Sequence, residues 1–249
     1  VVKDVRDFFE GKFKDLFFAA DLEGEMAYAP DTVGFGNFDL GVGYKYTEPG
    51  TPSTGLMVFI INGRPVNELQ LNICASFPVF IKGGLAEMTM NRVYEWESGL
   101  EGNLNMSFDK EEGLDMFVPD YYRDRHCFER GCRYLVELAG IAISMFDKTD
   151  AERAKNACLP ADDDRSFIFG TSEGVHANCQ YYGEITEVET SSFFGNTVYR
   201  VVLEFNVGSS GVLRLPVFIG AHMLHGFVPR PGVKAGGVFW LQGILRKKA

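Results

Sequence analysis

Asp120-Tyr-Tyr-Arg-Asp-Arg-His-Cys-Phe-Glu-Arg-Gly-Cys-Arg-Tyr-Leu-Val-Glu-Leu-Ala-Gly-Ile-Ala-Ile-Ser-Met-Phe146 follows Pro119 and reads as one long helix. Asp120 offers an N-cap oxygen to the first turn. Phe128, Cys132, Leu135, Ala139, Ala142 and Phe146 advance by alternating steps of four and three, which lays one apolar stripe along a helix. Arg125, Glu129, Arg133 and Glu137 alternate in sign at i, i+4 on the other side, as on a solvated helical face. Gly131 and Gly140 interrupt the run and mark close approach to another backbone. A helix with such a stripe needs a surface to cover.

The residues before it provide that surface. Val2, Val5, Phe9, Phe13 and Leu16 form a first amphipathic helix. From about Glu25 to Val118 the period changes to two. The apolar run Gly55 to Ile61 ends in Asn62-Gly63, and Leu69, Leu71 and Ile73 alternate beyond it; this predicts a β-hairpin with a type I′ turn. Ala86 to Glu97 alternates, with Arg92 the odd member of its apolar set, and Leu104, Met106 and Phe108 alternate with Asn103, Asn105 and Ser107. Strands with one polar face belong to an antiparallel sheet wet on one side. Residues 1–150 are therefore expected to form an α+β domain, an antiparallel sheet covered by the long helix.

Residues 151–165 hold few large apolar side chains and end in Asp162-Asp-Asp-Arg165, which reads as a linker. Residues 166–249 return to strands. Tyr182 to Thr190 leads through a turn at Ser191–Asn196 into Thr197, Tyr199, Val201, Leu203 and Phe205, which alternate with polar and β-branched residues. Leu213, Leu215, Val217 and Ile219 face inward in the next strand, where Pro216 demands an edge or a bulge. Val238 to Leu245 is apolar on both faces. So many strands in so short a segment suggest a small β-barrel that resembles the OB-fold in architecture.

Composition fits this picture. Phe at 22 and Gly at 28 of 249 residues both exceed ordinary usage and point to strands and tight turns around an aromatic core. The formal charge of −10 disfavours a nucleic-acid binder that uses its whole surface. Divided at residue 165, the first part carries 17 Lys and Arg against 29 Asp and Glu (−12), and the second 7 against 5 (+2). An anion-binding C-terminal barrel thus survives the overall acidity. No apolar run approaches the ~18 residues of a membrane span. Val1 to Glu10 lacks the pattern of a secretory leader, although the absent initiator Met is compatible with a leader already removed. Five scattered cysteines, Cys74, Cys127, Cys132, Cys158 and Cys179, read as reduced thiols and place the chain in the cytoplasm.

Catalytic patterns are weak. Gly170-Thr-Ser172-Glu-Gly174 matches a nucleophile elbow, with His222 and His225 downstream, but no alternating βαβ pattern surrounds it. His222 and His225 could approach one another with Cys179 or His176 as a third metal ligand; two histidines on a loop are the simpler reading. Asp162-Asp-Asp164 lacks the ligand spacing of a calcium loop. The glycines from Gly34 to Gly43 precede no helix, so they make no phosphate cradle. No metal and no cofactor is expected. Tyr181, Tyr182, Phe193, Phe194, Arg200 and Arg214 combine aromatic rings and guanidinium groups, the materials of a stacking groove, with Phe193 and Phe194 at a hairpin tip. The expected function is non-catalytic binding or assembly, with an unknown protein partner or a second copy. The alternatives are single-stranded nucleic-acid binding through the barrel and hydrolysis centred on Ser172.

Overall fold

The computed structural model describes residues 38–46, 54–63, 70–80, 82–96, 101–108, 113–147, 166–170, 177–193, 196–207, 211–224 and 226–248, and these fold almost entirely into strands. In chain order these strands are β1 (Phe38–Tyr46), β2 (Thr54–Gly63), β3 (Gln70–Phe80), β4 (Gly84–Glu95), β5 (Gly102–Ser107) and β6 (Leu114–Phe117). A single helical turn, α1 (Tyr121–Asp124), continues into a 3-10 turn at Arg125–Cys127. Then come β7 (Arg133–Asp147), β8 (Phe167–Gly170), β9 (Asn178–Phe193), β10 (Asn196–Asn206), β11 (Val212–Gly220) and β12 (Lys234–Lys248).

The long helix expected over residues 120–146 is not there, so the fold is not α+β. Helix does begin after Asp120, but it stops within one turn, and β7 replaces the rest. Its inward residues Tyr134, Val136, Leu138 and Ala142 follow a period of two, and all enter the main core. Ala139 and Ile141 alternate with them and enter a second cluster on the opposite face. A strand covered on both sides is apolar on both sides, and such a run also satisfies a helical stripe by coincidence. The apparent i, i+4 charge series dissolves likewise. Arg125 pairs with Glu95 at 3.2 Å. Glu137 is buried, accepting the Gly83 N–H at 2.7 Å and binding Arg246. Gly131 is a turn residue with φ +79°.

Two sheets result. β1, β2 and β3 form an antiparallel three-stranded sheet. The hairpin read from Asn62-Gly63 exists as the β2–β3 pairing, but both residues lie within β2, and the ladder ends at Gly63 opposite Gln70. The other nine strands run in the order β10-β11-β7-β4-β5-β6-β12-β9-β8, with additional pairings of β10 to β9 and β7 to β12. β7 carries β12 along one edge; on the other it pairs with β4 through Leu138 and with β11 at Gly140 and Ile141. Pro216, lacking an N–H, sits where that edge changes partner. β12 in turn meets β9 over Lys234–Trp240 and β6 at Gln242.

The C-terminal segment is therefore not an OB-like barrel of its own. Its strands β11 and β12 hydrogen-bond to β7 and β6 and belong to the common nine-stranded sheet. Many short strands suggested self-closure because their alternation was read without the partners supplied by residues 114–147. The first amphipathic helix and the 151–165 linker lie outside the described residues.

Three local devices fit the sequence to this sheet. Where β4 bulges between Met90 and Arg92, the phase flips, so Val93 packs on the core and Arg92 lies 4.7 Å over the Tyr94 ring. Aromatic rings fill the space above strand glycines: a Cβ on Gly140 or Gly183 would fall 2.9 Å from the ring of Phe239 or Phe205. That pairing of ring with missing side chain accounts for part of the joint excess of Phe and Gly, as in aromatic rescue. Finally, the fully buried Gln242 side chain of β12 acts as a one-residue strand. Its amide donates to the Pro78 carbonyl at 2.7 Å and accepts the Phe80 N–H at 3.4 Å, closing the edge of β3 that faces away from β2. Replacement of Gln242 by Leu keeps the volume and orphans two buried backbone groups, so urea unfolding should show a loss of about 2–4 kcal/mol. An unchanged midpoint would mean that water reaches this edge.

Candidate binding surface at strand β8

Of the six residues expected to form a stacking groove, the five described ones are engaged in the core or in ion pairs. Tyr181 and Tyr182 are buried: Tyr181 stacks on Phe239 at 4.9 Å and donates its hydroxyl to the Ser144 carbonyl. Phe193 packs against the cluster of Phe80, Ala139, Val198, Phe218 and Ile244, so this hairpin aromatic docks on β3 and β7. Phe194 lies outside the described residues. Arg200 is bound by Glu189 at 3.3 Å and Glu187 at 3.9 Å. Arg214 is held by Glu187 at 2.9 Å and Glu204 at 3.1 Å. Carboxylates that would repel phosphate thus occupy both guanidinium groups.

The residues weighed for catalysis and metal binding are described only in part. Ser172, His176 and His225 lie outside the described residues. Cys179 is sealed in the main core, whereas His222 is exposed on the 3-10 turn Ala221–Met223 after β11. Burial, with a lesser contribution from the Asp115 charge, pushes the Cys179 thiol up to about 12. Among the described residues no three His, Cys, Asp or Glu side chains converge as metal ligands, and no helix is long and apolar enough to cross a membrane.

What the geometry does single out is β8. Within the nine-stranded sheet it is the strand with one described neighbour, pairing with β9 from Phe167 opposite Tyr182 to Gly170 opposite Cys179. Alternation divides its side chains. Ile168 packs against the main core. Phe167 and Phe169 share the other face, where their rings stack at 5.3 Å and Phe167 leans toward Tyr182 at 6.1 Å. Phe169 is 43% exposed. Proteins commonly guard an edge strand with a charge, a proline or a bulge. Phe167-Ile-Phe-Gly170 has neither charge nor proline, and among the described residues its shortness is its one protection.

An open cleft of about 330 Å³ adjoins the start of β8, lined among others by Ser166, Tyr182, Glu184, Glu204, Val212 and Lys234. Ser166 accepts the Asn206 N–H at 2.9 Å and so ties β8 to the end of β10. The cleft's charges belong to a row across four strands: Lys234 opposite Glu184, Glu184 opposite Glu204, and Glu204 opposite Arg214. Two like charges directly opposite destabilise a ladder, and the flanking cations offset them. The row is balanced from end to end, which makes it a solvated sheet face and not a site that calls for an ion.

Sequence reading drew attention to Gly170–Gly174, at the end of this strand, and not to the strand itself. The available signal was the aromatic alternation with no guarding charge. Compared with protein-family models and with the curated proteins, the chain matches none. Thiol chemistry checks the placement of the core. At pH 8 the thiolate share at Cys179 is on the order of one in ten thousand for a pKa of about 12. Iodoacetamide followed by peptide mapping should label the exposed Cys127 in the native protein and Cys179 only after unfolding. Equal labelling of the two would place Cys179 outside the core.

Proposed function

We propose that this protein has a non-catalytic binding or assembly role and takes up an extended polypeptide segment by strand addition along β8. One observation carries the reading: an edge strand that is uncharged and proline-free and presents a stacked, partly exposed phenylalanine pair. In strand addition the main-chain groups of the edge supply hydrogen bonds, and side chains on alternate positions supply selectivity. Phe167 and Phe169 would provide that selectivity, favouring a segment with aromatic or β-branched residues at every second position.

Single-stranded nucleic-acid binding has less in its favour. It needs free cations beside exposed rings, whereas Arg200 and Arg214 are engaged by Glu187, Glu189 and Glu204.

A fluorescein-labelled heptapeptide of alternating Thr and Phe or Val, with Lys at each end for solubility, provides the probe. Fluorescence anisotropy should show saturable binding to the wild-type protein. Phe169→Lys should weaken it by about tenfold or more, in the manner of a hot-spot residue. Because Phe169 is substantially exposed, the same change should alter folding stability by no more than about 0.5 kcal/mol. Equal affinity of the two proteins, or no binding by either, would refute strand addition at β8.

A further inference from the structure

We draw no further inference here: the strongest candidate, the open cleft of about 330 Å³ at the start of β8 lined by Ser166, Glu184, Glu204 and Lys234, belongs to the site already described, and its carboxylates and cations offset one another so that nothing in it selects a ligand.

Discussion

The β7–β12 ladder is the interaction on which the rest of this structure depends. It joins Tyr134–Asp147 to Ala235–Lys248, segments about a hundred residues apart, in an antiparallel pairing that spans nearly the whole of both strands. Each strand then uses its remaining edge for two successive partners, β4 and β11 on β7, and β9 and β6 on β12. Hydrogen bonds from early and late parts of the chain thus converge on one ribbon. The buried Gln242 extends the same ribbon to the three-stranded sheet by mimicking a strand toward Pro78 and Phe80. Glu137 ties its β7 strand to Gly83 and, through Arg246, to β12 within the ribbon.

How much of this the sequence disclosed depended on how many faces of each strand meet water. β11 shows its alternation at Val212–Leu215, where Val212 and Arg214 meet water, and Leu213, Leu215, Val217 and Ile219 point inward as their spacing requires, although Pro216 and Phe218 on the other face are buried too. β7 is covered on both faces, so its apolar residues lost their period of two and fitted a helix just as well. The buried Glu137 was the discrepant residue: on the imagined helix it stood on the wet face, yet its carboxylate lies within the protein. In β5 the presumed wet face is closed as well, since Asn103 and Ser107 are buried alongside Leu104 and Met106. Pairings between distant strands leave no local trace, which is why the C-terminal strands were expected to close on themselves.

The candidate site was less legible than the fold. Tyr181 and Tyr182 were attractive as stacking residues because sequence cannot separate a core ring from a displayed one. Arg200 and Arg214 looked available because their carboxylate partners come from a neighbouring strand, two of them from Glu187 and Glu189 of β9. The informative feature of β8 was an absence: no guarding charge on an aromatic strand. That carries meaning only once the strand is known to stand at an edge. Phe and Gly enrichment, taken at first as a sign of turns, reflects in part rings packed over strand glycines.

Amide hydrogen exchange followed by mass spectrometry tests the central claim most directly, because it ranks every strand in one experiment. If the β7–β12 ladder holds the sheets together and β8 is its open edge, amides of residues 134–145 and 236–245 exchange together as the slowest class, and those of residues 167–170 are the fastest of the strands in the larger sheet. Exchange of β12 well ahead of β7, or protection of β8 equal to theirs at low protein concentration, would contradict the account.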